Sequence, residues 1–315
     1  MQFYCVYRGR PIRNAPFNDA STDAARQPAR RGRRESSARS AGKGSIKSVV
    51  KAIAIMDALR ESRRPLRVVD LARRLQMSAS AVSRIVSTLS AGGLIEYDRD
   101  TDRLYLGFGL VPLAGASMAR RELDRIAIPI IAEITARFTK FNRYVSLGRL
   151  YRGQIVYLRG LAKQMPQRDI NIVTMAPMHA TAPGKVFAAW MPFADVRQIL
   201  ETNGMDPYTP RTITTVEGFK EAIERVRRSG FGFDDCEVLE DFRHIATPIF
   251  DHTGKVVATL SVGGLAEEMR GEELDAVARA VWYGSFEISR QIGYDGTFKA
   301  GILPSEEFAS IGQAA

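Results

Sequence analysis

The sequence predicts an α+β fold in two parts, a winged helix-turn-helix followed by an antiparallel sheet with helices packed on it. Three observations carry that expectation. Between residues 45 and 91 three stretches place apolar residues at helical spacing, and two short strand-like runs, Leu94–Tyr97 and Arg103–Leu106, follow around a polar tip. From Ile126 onward strand and helix patterns alternate. The charge is also divided. Residues 1–44 hold 10 Lys/Arg against 3 Asp/Glu and residues 45–109 hold 11 against 7, whereas residues 110–315 hold 24 against 25. Positive charge gathered in the N-terminal third suits a domain that meets a polyanion.

At 315 residues the chain has room for about two domains with separate cores. No apolar run approaches the roughly 20 residues of a membrane span, and the N-terminus lacks the apolar centre of a secretory signal. Cys5 and Cys236 make neither a disulfide framework nor a thiolate metal site, so a reducing cytoplasm is the expected location, with no membrane partner.

Taken in order, residues 1–44 are rich in Arg, Ser, Ala and Gly and are expected to be disordered. Their basic run, Arg26 to Arg34, either adds phosphate contacts or is a solvated leader or translation from an upstream start codon. A helix starts near Ser45 with Ile46, Val49, Val50, Ile53, Met56 and Leu59 as one apolar stripe, and Arg63-Arg64-Pro65 ends it.

The stretch Arg67–Leu89 then reads as two helices and a turn. Val68, Val69, Leu71, Ala72 and Leu75 form the apolar side of the first, which stops near Gln76-Met77. Ser78 offers an N-cap to the second, whose Val82, Ile85, Val86 and Leu89 share one face. Ser80, Ser83, Arg84 and Ser87 fall on the other. Small hydroxyl residues around one guanidinium suit a face that enters a DNA major groove, although an ordinary solvated face has the same composition. Candidate DNA-binding residues are therefore Ser78 (a cap first), Ala79, Ser80, Ser83, Arg84 and Ser87, with Arg99 and Arg103 on the wing. Asp98, Asp100 and Asp102 weaken the wing as a phosphate binder and are alternative partners for its arginines. Gly92-Gly93 closes the second helix.

Residues 110–122 are expected to form a linking helix, with Pro112 in its first turn. A helix from Ile126 to about Phe138, strands Tyr144–Leu147 and Gln154–Arg159, and a loop-rich stretch to Met178 follow. The remaining expected elements are helices Ala182–Met191 and Val216–Arg228, strands Phe231–Phe233, Ile245–Phe250 and Val256–Val262, and a long helix Glu272–Ile292.

SVVKAIAIMDAL, PLRVVDLARRL, GGLIEYDRDTDRLYLG and LVPLAG resemble the N-terminal domain of the IclR family of bacterial transcription regulators. The resemblance continues through QIVYLRG, PMHATAPGK, GFGFDDCE and RHIATPIFDHTGKVVATLSVGG, covering residues 45 to about 293. It implies a GAF-like effector domain over residues 123–293, double-stranded DNA with a palindromic operator as partner, and dimers that often pair into tetramers. It also implies a pocket for a small organic acid or aromatic metabolite, lined here by Ala182, Pro183, Asp234, His244, Ser261 and Gly263. Two departures change that pocket. His244 stands where relatives often carry Cys or Ser, and Glu240-Asp241-Phe242 replaces a common glycine. His179, Lys185, Arg243, Asp234 and Asp235 each have a plain structural use as cap, carbonyl partner, ion pair or turn.

An enzyme-like domain with a DNA-binding appendage is the alternative, but neither GxSxG nor GxxxxGK occurs, and Gly107-Phe108-Gly109 is too short a match to a dinucleotide loop. His179, Asp234, Cys236 and His244 show no metal-ligand spacing on one element, so no metal and no cofactor is expected. A nucleoid-type binder whose second domain only oligomerises is the other rival, and predicts sequence-independent binding.

Overall fold

The computed structural model describes residues 45–296 except 63, 99, 120–121, 139–142 and 162–174. These form two compact units that divide at residues 120 and 121. The expected extension 1–44, residues 297–315 of the expected C-terminal tail 294–315 and the wing residue Arg99 lie outside the described residues.

The first unit has helices α1 (Lys47–Glu61), α2 (Val68–Leu75) and α3 (Ala79–Ala91), the hairpin β1 (Ile95–Asp98) and β2 (Arg103–Leu106), and helix α4 (Leu110–Ala119). Its core joins Ile55, Ala58 and Leu59 to Leu71, Val82, Val86, Leu89, Ile95 and Leu104. Asp70 holds the start of α2 by accepting the Arg67 N–H at 3.1 Å. Gln76 takes the left-handed conformation, φ 52°, and turns the chain into α3. Ser78 caps α3, its hydroxyl accepting the Ala81 N–H at 3.3 Å.

The apolar stripe expected on α1 divides. Its C-terminal end enters the core, but Ile46, Val49, Val50 and Ile53 stay exposed, Ile46 at 67%. Helix α4 is apolar along its described face and also exposed, with Val111 at 61%. The glycines after the wing serve packing: a Cβ on Gly107 or Gly109 would lie 2.2 or 2.7 Å from the Gly93 carbonyl oxygen.

The second unit is a six-stranded antiparallel sheet with helices on both faces. Its strands are β3 (Tyr144–Tyr151), β4 (Gln154–Leu161), β5 (Met175–Pro177), β6 (Gly232–Asp235), β7 (Phe242–Phe250) and β8 (Val256–Leu265), in the order β5-β4-β3-β8-β7-β6. Helices α5 (Glu122–Arg137) and α9 (Gly271–Gln291) cover one face, burying Val145, Leu147, Ile245, Ile249, Leu260 and Val262. Helices α6 (Ala182–Ala189), α7 (Phe193–Asn203) and α8 (Val216–Ser229) form a second core with Ala246 on the other.

Three expectations are corrected. The stretch expected as loop up to Met178 ends in the edge strand β5, and α7 lies where no element was expected. Strand β7 begins at Phe242, three residues before Ile245, because Phe242–His244 pair with Gly263–Leu265 of β8. Among the described residues no helix is long and apolar enough to cross a membrane.

Candidate functional site

Helix α3 presents two unlike faces. Val82, Val86 and Leu89 are buried, while Ala79, Ser80, Ser83, Arg84, Ser87 and Thr88 are exposed. Arg84 makes no ion pair among the described residues, so its guanidinium is available. Ser78 and Ser80 share a hydroxyl contact of 3.2 Å at the cap. On the wing, the Arg103 guanidinium donates to the Pro65 carbonyl at 2.8 Å and braces β2 against the segment before α2. Two of the wing acids are also occupied: Asp98 accepts backbone N–H groups of Asp100 and Thr101, and the Tyr97 hydroxyl is bonded to Asp102.

In the second unit the sheet register assembles the other candidates. Asp234 opposes His244 across β6 and β7, His244 opposes Gly263 across β7 and β8, and Gly263 opposes Tyr144 of β3. The adjacent row runs Gly232, Ala246, Ser261 and Ser146. Successive strand residues alternate between faces, so both rows lie on the α6 side. Helix α6 starts directly over them. A Cβ on Gly232 would lie 2.2 Å from the Ala182 carbonyl oxygen, and one on Gly148 would lie 3.8 Å from Pro183 Cβ. All six expected residues, Ala182, Pro183, Asp234, His244, Ser261 and Gly263, are thus buried together on one face.

The site is polar inside an apolar shell. The Ser146 and Ser261 hydroxyls are 2.8 Å apart. His244 lies between aromatic rings, 6.0 Å from Tyr157 and 6.4 Å from Phe242 by ring centroid. Its Nε2 is buried without a hydrogen-bond partner among the described residues. Burial pushes the His244 pKa down to about 4, leaving the ring neutral at physiological pH. Burial pushes Asp234 the other way, to about 8 against the opposing pull of Lys185, so this acid retains its proton near neutrality. Tyr144 is raised by burial to about 12. The group has neutral donors and acceptors at the centre.

Lys185 does not add a free charge. Its ammonium donates to the Phe233 carbonyl at 2.7 Å and is paired with Glu237, whose own pKa is raised by burial. Arg243 lies on the other face and donates to Asp235 at 2.7 Å and to the Met269 carbonyl at 3.0 Å. His179 accepts or donates at the Asp206 carbonyl, 3.1 Å away, and stacks on Tyr208. Sequence reasoning missed Tyr144, Ser146, Tyr157 and Glu237. The serine pair is invisible until the β3–β8 register is known, because its members are 115 residues apart. Among the described residues no group of three or more His, Cys, Asp or Glu side chains is arranged to hold a metal ion.

Comparison with known proteins agrees with both halves. Residues 48–99 match the model of the IclR helix-turn-helix domain, and residues 116–290 match that of the bacterial transcriptional regulator IclR C-terminal domain. The chain is 32% identical over 241 residues to the HTH-type transcriptional regulator KdgR of Escherichia coli, covering 76% of this chain and 90% of that one. A solved IclR family transcriptional regulator from Brucella abortus has the same fold, with a TM-score of 0.70 at 18% identity, covering 82% of this chain and 97% of that one. An IclR homologue from Microbacterium hydrocarbonoxydans, solved with 4-hydroxybenzoate, has a TM-score of 0.64 at 20% identity, covering 78% of this chain and 99% of that one.

Proposed function

This chain belongs to the IclR family of bacterial transcriptional regulators, DNA-binding proteins with a C-terminal effector domain, and from that premise we propose how its two halves act. The first unit reads operator DNA through α3, with Ala79, Ser80, Ser83 and Arg84 toward the bases and Ser87 further along the helix. Ser78 serves first as the cap, and Arg103 and Arg99 of the wing come near the backbone. The observation that carries this reading is Arg84, exposed and free of ion pairs on a helix whose opposite face is core. A guanidinium so placed can fork onto a guanine or hold a phosphate.

The protein works as a cytoplasmic, non-enzymatic homodimer on a palindrome, with half-sites about 10 bp apart or a multiple of it. The exposed apolar residues of α1 and α4 favour this reading, since apolar surface on a DNA-binding unit is what a two-fold partner would cover.

The effector is a small metabolite that carries hydroxyl or carboxyl oxygens on a compact, aromatic or short-chain body. It binds beside the start of α6, against His244 and its neighbours in the two strand rows. The unpartnered Nε2 of His244, the Ser146–Ser261 pair and the protonated Asp234 supply its hydrogen bonds, and Tyr157 and Phe242 supply apolar contact. The relative solved with 4-hydroxybenzoate supports a ligand of this size. Such a ligand changes transcription by binding the DNA-competent and incompetent states unequally.

A DNase footprint over the region upstream of the chain's own gene, with excess nonspecific DNA, tests the first half. A protected site with two-fold symmetry is expected, and uniform protection would remove sequence-specific regulation. A thermal-shift screen of hydroxy acids, keto acids and hydroxybenzoates tests the second. A stabilising compound should lose its effect in His244→Ala.

A further inference from the structure

Beyond the effector site, a groove of about 770 Å³ is lined by Glu133 and Arg137 of α5, Trp282, Tyr283 and Phe286 of α9, and Phe250 of β7. Trp282 and Phe286 stack in it with rings 5.6 Å apart and nearly parallel, and Tyr283 is 59% exposed. Glu133, Arg137 and Glu287 supply charge along the same groove. Aromatic surface of this extent is seldom left bare to water.

The chain itself leads into this groove. After α9 ends at Gln291, Gly293 takes φ 95° and the Tyr294 N–H donates back to the Ser289 carbonyl at 2.9 Å. The Tyr294 ring stacks on Phe250 at 5.3 Å, and Tyr294 and Gly296, the last described residue, both line the groove. Beyond Gly296 the sequence runs TFKAGILPSEEFASIGQAA, residues 297–315, with Phe298, Ile302, Leu303, Phe308 and Ile311 as its large apolar side chains.

We propose that the groove is the docking site of this chain's own C-terminal segment, residues 297–315. Reach is no obstacle, since 19 residues span roughly 28 Å even as a helix and more when extended. Tethering at Gly296 makes the encounter intramolecular, so weak apolar contacts suffice. The groove carries both signs, and so does the segment: Arg137, exposed at the groove, is a counterpart for Glu306 and Glu307, and Glu133 for Lys299. Docked there, the segment covers Trp282, Tyr283 and Phe286 and keeps that face from pairing with a second copy.

The test uses the full-length chain with Trp190→Phe, which leaves Trp282 as its one tryptophan. In that background Phe298→Glu with Leu303→Glu should red-shift Trp282 emission and raise its quenching by acrylamide, with circular dichroism unchanged. A synthetic 297–315 peptide added to the double variant should reverse both changes saturably, and Tyr283→Glu should abolish the reversal. Sedimentation at several concentrations identifies the occupant. Unchanged Trp282 signals and no saturable peptide binding overturn the proposal. So does protection of Trp282 that appears only as the mass doubles, because a second copy would then be the occupant.

Discussion

His244 shows how burial sets the chemistry of a single side chain. Its neutral ring is a property of the folded state alone, because the unfolded histidine titrates near 6.5 and the folded one near 4. Between those values the unfolded state binds more protons, so folding weakens as pH falls from 6.5 to 4. The loss should be about 3 kcal/mol, and it should be missing in His244→Gln when unfolding by urea is followed across that range. Asp234 has the opposite sign: with its folded pKa raised, its contribution is complete below about 4 and fades as pH rises toward 8. Asp234→Asn retains an acceptor for the Glu237 N–H, now 2.7 Å from Asp234, and should remove that fading. At α3, Arg84→Ala should reduce operator affinity by roughly 1–3 kcal/mol while leaving stability within about 0.5 kcal/mol, because the residue is exposed and unpaired. A footprint equal to wild type would deny Arg84 a reading role. The six candidate residues Ala182, Pro183, Asp234, His244, Ser261 and Gly263 could be named from the sequence because the motifs around them are distinctive, and the fold buries them on one face. The partners Ser146, Tyr157 and Glu237 were not, because local sequence does not encode strand register.

At the scale of elements, close backbone approach decides where α6 sits. A Cβ on Gly184 would lie 2.1 Å from the Met178 carbonyl oxygen, and one on Gly232 would lie 2.2 Å from that of Ala182. Neither obstacle is a flexible side chain, so Gly232→Ala must move α6 off the sheet and Gly184→Ala must push it away from the Met178 turn that leads into it. Each should destabilise the effector unit by about 1–3 kcal/mol, read as a lower melting temperature, and weaken any stabilising ligand in proportion. A variant as stable as wild type with unchanged ligand response would show that α6 can shift freely. The capped elements were the legible ones. Ser78 marks the start of α3 by a side-chain cap and Gly230 the end of α8 by its left-handed backbone, φ 78°, signals that act within four residues. Helix α7 escaped notice because Val196 and Leu200 are its only buried residues, too few to set a period. Strand β7 was read short because Phe242, Arg243 and His244 do not look like a strand start; their pairing partners on β8 decide it.

At the scale of the molecule, the division of the α1 stripe bears on assembly. Apolar periodicity made Ile46 through Leu59 look like one buried face, yet the unit's small core has room only for the second half of the helix. Ile46, Val49, Val50 and Ile53 remain outside, as do Val111 and Leu113 of α4 and Phe108 before it. Periodicity reports that a face avoids water, not whether its cover comes from the same chain or another. If a second copy covers it, two recognition helices are held at a fixed spacing and bind one palindrome together. Linking two half-site contacts raises affinity by about 10²–10⁴-fold over one alone. Val49→Glu with Leu113→Glu should therefore convert the protein to a monomer by sedimentation and reduce operator binding by a factor in that range. Both residues are exposed, so helicity and the folding of the unit should persist. If the double variant stays dimeric and binds its operator as wild type does, these faces are not the interface, and the two-fold reading must find its contact elsewhere.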